Sequence, residues 1–198
     1  MLLRRAQQDT RLLECHPEPV EGYNILSIGK VYLIGLMGAG KSTVGRILAD
    51  TLNWQLLDID HEIEKIAGND IPSIFEERGE DGFRDFEAQV LMETDSLNDA
   101  IIPCGGGIVT KPENVKYLKD HLTIWLDVSP EEAAARLEHS DHRPLLNQCQ
   151  DTIKKLQEIL DSRQVSYDEA ASLHIHTGQR APDIIASEIL EKLESYYD

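Results

Sequence analysis

The sequence predicts an α/β fold, a three-layer α/β/α arrangement around a parallel sheet, and three observations carry that prediction. Short apolar runs alternate along the chain with longer segments of helical periodicity. The run Val31-Tyr32-Leu33-Ile34 leads into Gly35-Leu36-Met37-Gly38-Ala39-Gly40-Lys41-Ser42, which fits G-x-x-x-x-G-K-[ST]. Neither a repeat nor an internal linker marks a second domain, and 198 residues suit one domain with a sizeable core.

Each element has its own justification. Val31–Ile34 reads as a short buried strand, and Ser42 to Leu52 as a helix with Val44, Ile47, Leu48 and Leu52 on one face. The glycine-rich turn between them suits a phosphate-binding loop: its N–H groups turn inward and the helix N-terminus adds positive potential. Lys41 would then reach the β/γ-phosphates, and the Ser42 hydroxyl would ligate Mg²⁺. Trp54-Gln55-Leu56-Leu57 reads as a second strand ending at Asp58-Ile59-Asp60. Two carboxylates two residues apart share one side of an extended chain, so one could hold Mg²⁺ through water while the other receives or orients a substrate hydroxyl. The competing reading makes Asp60 the cap of a helix over His61–Ile66, stopped at Gly68.

Asp70-Ile71-Pro72 starts another helix, which Gly79 ends, and a further helix is expected from Phe83 to Leu97. Arg84 near the start of that helix opposes the dipole; Glu87 could orient it for a purpose, or the two could form a plain surface pair. Ala100-Ile101-Ile102-Pro103-Cys104 is a third strand, with Cys104 read as core. The following Gly105-Gly106-Gly107 is either a flexible turn or a place where backbone approaches a ligand. Leu122–Leu126 is a fourth strand, and Ser129-Pro130-Glu131-Glu132 opens a helix containing Arg136. The polar stretch around 138–150, broken at Pro144, reads as a flap over the site. A long helix over Thr152–Ala171 carries Arg163 and Tyr167, the latter read as packing; Leu173–His176 is a fifth strand, and an amphipathic helix closes the chain. His174 and His176 could share one strand face, with structural or exposed roles favoured over a metal site.

Four of these features, Gly35–Ser42, Asp58-x-Asp60, Phe83-Arg84-x-x-Glu87 and Gly105-Gly106-Gly107, stand in an order and spacing that resembles shikimate kinase. The resemblance implies the nucleoside-monophosphate-kinase-like P-loop NTPase fold over 31–198, with a five-stranded parallel sheet in the order 2-3-1-4-5. It implies transfer of the ATP γ-phosphate to the 3-hydroxyl of shikimate, a step towards chorismate and the aromatic amino acids. Gly38, Ala39, Gly40, Lys41, Ser42 and Thr43 would hold ATP, with Ser42 and Asp58 at Mg²⁺. Asp60 would bind and help deprotonate the attacking hydroxyl. Arg84, Arg163 and the Gly105, Gly106 and Gly107 backbone would position shikimate. Arg143, in a stretch Arg143-Pro144-Leu145-Leu146 similar to the family's lid, would close over the phosphates and act with Lys41 and Asp60 in catalysis. Arg136 and Arg180 would flank the adenine, although a solvated Arg180 is an equal reading. The family often carries Pro two residues after the arginine at 163; here Val165 takes that place.

Composition bounds the alternatives. Lys and Arg number 19 against 36 Asp and Glu, a formal charge of -17, which disfavours nucleic acid and anionic membrane as partners. The few cations must therefore gather where an anionic nucleotide binds. Three cysteines without paired or metal-type spacing suit a reducing cytoplasm, and a monomer is expected. Residues 1–30 lack an apolar central region for a secretory signal and read as a flexible extension. The rivals are another P-loop small-molecule kinase, for gluconate or a nucleoside monophosphate, and a nucleotide-binding module without turnover. A GTPase switch should carry N-K-x-D, and the sequence contains no Asn-Lys pair.

Overall fold

The computed structural model describes residues 29–137 and 151–196. Most of the expected N-terminal extension, and the expected lid around 138–150 with Arg143, therefore lie outside the described residues. Five strands, β1 (Lys30–Ile34), β2 (Gln55–Leu56), β3 (Ala100–Pro103), β4 (Thr123–Asp127) and β5 (Leu173–His176), form one sheet in the order β2-β3-β1-β4-β5. Every neighbouring pair is parallel, as the sequence predicts.

The sheet is buried on both faces because β1 alternates two apolar sets. Val31 and Leu33 face one core, shared with Ile101, Ile124, Leu126 and Ile175. Helices α1 (Lys41–Leu52), α5 (Pro130–Leu137) and α7 (Pro182–Tyr196) contribute to it. Tyr32 and Ile34 face the other, with Ile102, Trp125 and residues of α2 (Ile59–Ala67), α3 (Ile71–Glu93) and α4 (Pro112–Lys119). Helix α6 (Thr152–Ala170) sends Leu156 and Ile159 to the first core and Tyr167 to the second. A strand with both faces buried reads as a continuous apolar run.

Several boundaries differ from the sequence reading for local reasons. β1 begins at Lys30, whose ammonium donates to the Thr94 and Asp95 carbonyls (3.3 and 2.8 Å), so the strand starts one residue before Val31. The helix capped by Asp70, whose carboxylate accepts from Ser73 N at 3.0 Å, breaks at Gly79 (φ 68°, ψ −177°) as read. The chain resumes helical geometry directly afterwards, so Phe83 is not a helix start. This helix ends at Glu93, and a 3₁₀ turn over Thr94–Ser96 replaces its expected last turn. Helix α4, absent from the sequence reading, follows Lys111 with Pro112 in its first turn. Helix α6 runs unbroken with Val165 on its exposed side.

Candidate active site

The phosphate loop folds as its glycines require. Gly40 caps α1 at φ 92°, ψ 14°, a left-handed conformation that lets the preceding loop wrap towards the helix N-terminus. Lys41 Nζ donates to the Gly35 and Leu36 carbonyls at 2.9 and 3.0 Å, which holds the ammonium over the loop. A cleft of about 510 Å³ opens here, lined by Gly38 to Val44 and by Asp58, Asp60, Cys104 and Gly106.

The paired carboxylates converge, but not by strand alternation. Strand β2 stops at Leu56, and Asp58 is the N-cap of α2, its Oδ1 accepting from Asp60 N at 3.1 Å. Asp60 is thus inside the first helical turn, and the cap that the alternative reading placed on Asp60 belongs to Asp58. Capping does not exhaust Asp58, because Ser42 Oγ donates to its other oxygen, Oδ2, at 2.6 Å. Two oxygens that suit a hard divalent cation therefore stand side by side at the phosphate loop.

Arg84 is neither at a helix start nor on the surface. It is 6 % exposed, with Nη1 donating to Glu87 Oε2 at 2.5 Å and Nη2 to Glu80 Oε1 at 2.8 Å. Burial works against its charge, yet the Glu87 and Glu80 carboxylates outweigh that and hold the guanidinium above its ordinary value. Glu87 is fully buried, which pushes its carboxyl up to about 7; Arg84 pulls the other way, and the charge of Asp60 adds to the rise. Among the described residues, Glu87 Oε1 and Arg84 Nε are buried without a hydrogen-bond partner.

The triple glycine is a backbone that side chains crowd. A β-carbon at Gly107 would overlap the Arg84 guanidinium; one at Gly105 would overlap Glu87 Oε1 and lie 2.7 Å from Asp60 Oδ1. The loop is not a loose turn, because its carbonyls are tied down. Gly105 O accepts from Ile108 N (3.1 Å), and Gly107 O accepts from Thr110 N and Oγ1 (2.9 and 2.7 Å). Gly106 O accepts from Arg163 Nη1 at 3.0 Å and from the Tyr167 hydroxyl at 2.5 Å. Asp60, Arg84 and Arg163 thus meet around three residues, and Gly106 also lines the cleft with the phosphate loop.

The remaining candidates occupy the far side of the cleft. Arg136 donates from Nη1 to the Gly38 carbonyl at 3.1 Å and to Thr177 Oγ1 at 3.4 Å, and from Nη2 to the Gly178 carbonyl. It therefore ties the phosphate loop to the turn after β5. Arg180, half-exposed, pairs with Glu188 at 2.6 Å and donates to the His176 carbonyl at 3.0 Å. Cys104 is buried core, its thiol pushed up by that burial. His174 and His176 pair with different carboxylates, Asp168 and Asp127. Sequence reasoning missed Glu80, for which the i−4 spacing to Arg84 was the available signal, and it read Tyr167 as packing alone.

The shikimate kinase family model matches residues 37–194. A shikimate kinase of Synechococcus elongatus is 41% identical over 165 residues, covering 83% of this chain and 86% of its own. One from Prochlorococcus marinus is 43% identical over 164 residues, covering 82% and 84%. The solved shikimate kinase of Acinetobacter baumannii, in complex with shikimate, superposes with a TM-score of 0.83 at 39% identity, covering 87% of this chain and 96% of its own. A gluconokinase from Sinorhizobium meliloti, at 17% identity and a TM-score of 0.57, shares the fold alone. With the family model spanning most of the chain and relatives of this identity over most of both lengths, the chain belongs to the shikimate kinase family.

Proposed function

We propose that this protein transfers the γ-phosphoryl group of ATP to the 3-hydroxyl of shikimate, giving shikimate 3-phosphate and ADP. The observation that carries the residue assignment is the triple glycine, which packs against Asp60 at Gly105 and against Arg84 at Gly107. Asp60 lines the cleft beside the phosphate loop, and Arg84 and Arg163 both reach the same three-glycine turn, at Gly107 and Gly106. Two guanidiniums suit a carboxylate because their planar forks match it bidentately.

These positions support the following roles. Gly38, Ala39, Gly40, Lys41, Ser42 and Thr43 bind the phosphates, and Arg136 and Arg180 lie on the adenine side. The adjacent Ser42 and Asp58 oxygens fit Mg²⁺, with Asp58 acting through water; the ion would supply charge neutralisation between phosphates. Asp60 orients the attacking hydroxyl and helps deprotonate it. Arg84 and Arg163 grip the acceptor carboxylate. Lys41 stabilises charge on the transferring group, as does Arg143 from the lid assigned to 138–150. One chain supplies this whole set, which supports a working monomer. The free thiol of Cys104 fits a reducing cytoplasm, and among the described residues no helix is long and apolar enough to cross a membrane.

The test is ADP release from Mg·ATP with shikimate, gluconate and nucleoside monophosphates as separate acceptors. Turnover dependent on shikimate alone is the expected result. Turnover with another acceptor would overturn the roles of Arg84 and Arg163. ATP binding without turnover on any acceptor would favour a binding module.

A further inference from the structure

Tyr167 is fully buried, and its hydroxyl donates to the Gly106 carbonyl at 2.5 Å while also standing in hydrogen-bond reach of the Arg163 side chain. Arg163, one helical turn earlier on α6, donates to the same atom at 3.0 Å. The Tyr167 ring is fixed independently: it stacks on Trp125 of β4 with centroids 5.6 Å apart and planes 27° from parallel. A carbonyl oxygen has two acceptor sites, and here the two donors fill both. Yet the second donor, Arg163, is also assigned to the acceptor carboxylate.

We propose that Tyr167 is a positioning residue for acceptor binding: its hydroxyl holds the Gly106 carbonyl so that Arg163 can leave that carbonyl for the substrate carboxylate without orphaning it. Gly106 is half-buried at the cleft wall, so a carbonyl stripped of its protein donors there loses the bonds that fix its position. With Tyr167 in place that loss does not arise, and Gly105 and Gly107 keep their approach to Asp60 and Arg84 while Arg163 moves. Without the hydroxyl, Arg163 is the remaining donor to Gly106 O among the described residues, and the carbonyl and the substrate compete for its Nη1 group. The hydroxyl stays protonated across the working range, because burial pushes its phenol up to about 12. The inference rests on the assignment of Arg163 to the carboxylate, and its test separates the two.

The experiment is a double-mutant cycle on steady-state kinetics with Tyr167→Phe and Arg163→Ala, each with its melting temperature measured. Phenylalanine keeps the stack on Trp125 and removes one oxygen. Tyr167→Phe should raise the shikimate KM roughly tenfold, the effect of one competed hydrogen bond, and leave the ATP KM unchanged. In the Arg163→Ala background the same change should have little further effect on shikimate KM, since no arginine remains to be held back. An equal factor in both backgrounds, or a folded Tyr167→Phe with unchanged shikimate KM, would overturn the role of Tyr167. An unchanged shikimate KM in Arg163→Ala alone would overturn the carboxylate assignment, and the Tyr167 proposal with it. A loss of melting temperature with equal losses for both substrates would reduce Tyr167 to packing, which also overturns the proposal.

Discussion

Gly107→Ala isolates the acceptor side of the cleft with a single methyl group. The backbone at Gly107, φ −102° and ψ 2°, is open to alanine, so any effect comes from space rather than backbone strain. That methyl would overlap the Arg84 guanidinium at its carbon and both terminal nitrogens. Non-bonded carbon atoms settle at ~3.5–4.0 Å, so the guanidinium must retreat by more than about 1 Å. Retreat is resisted, because Arg84 is buried and held by Glu87 and Glu80 on its own helix. A misplacement of about 1 Å in a substrate-positioning group costs on the order of 10²-fold. The expected outcome is a fall of that size in kcat/KM for shikimate, most of it in KM, with the ATP KM near the wild-type value. Steady-state ADP release with each substrate varied reads both quantities, and a melting curve reports the fold. A folded Gly107→Ala enzyme with an unchanged shikimate KM would remove Arg84 from the acceptor site and refute the reasoning.

Three further outcomes follow from the same geometry. Lys41→Ala should lower kcat by ~10²–10³-fold, the effect of deleting a donor aimed at developing charge, in a protein that still melts cooperatively; near-normal turnover would take Lys41 out of the mechanism. Asp58→Asn keeps an equally good helix cap but loses a charge beside Ser42, so the Mg²⁺ concentration for half-maximal activity should rise ~10–100-fold with little change in melting temperature. An unchanged Mg²⁺ requirement would place the metal elsewhere. Glu87 makes stability depend on pH: its carboxyl titrates at about 7 in the fold against 4.5 when unperturbed. The folded state therefore binds the extra proton between those values, so Glu87's contribution is fully present below 4.5 and lost as pH rises through 7. Over that window the stability of wild type relative to Glu87→Gln should decline with rising pH; a flat or rising difference would contradict the burial argument.

The strands and the phosphate loop were legible because each rests on short-range signals, whereas the sheet order came from the family resemblance. Val31–Ile34 is an apolar run buried on both faces, and Gly40-Lys41-Ser42 fixes the turn after it. The chemistry of Asp58 and Asp60 was legible too, but its geometry was not. Whether a carboxylate ends a strand or caps a helix depends on where β2 stops pairing with β3, and a two-residue strand leaves almost no pattern to read. Arg84 was harder still. Its burial depends on α3 restarting immediately after Gly79, which puts Glu80 and Glu87 on either side of it, and a left-handed glycine reads as a stop whether or not a helix follows. The link from Tyr167 to Gly106 spans 61 residues and joins a helix to a loop, so periodicity in either segment carried no trace of it. Lys111-Pro112-Glu113 does hold a helix-start signal for α4, and the sequence reading passed over it.

The most direct test of the central claim is the position of the new phosphate. Enzyme, Mg·ATP and shikimate should yield one product whose phosphorus couples, in a proton–phosphorus NMR correlation, to the hydrogen on C3. That result would place the C3 hydroxyl at Asp60 with the carboxylate held away at Arg84 and Arg163. Phosphate on the 4- or 5-hydroxyl, or no phosphorylated shikimate from protein that binds both substrates, would contradict the account.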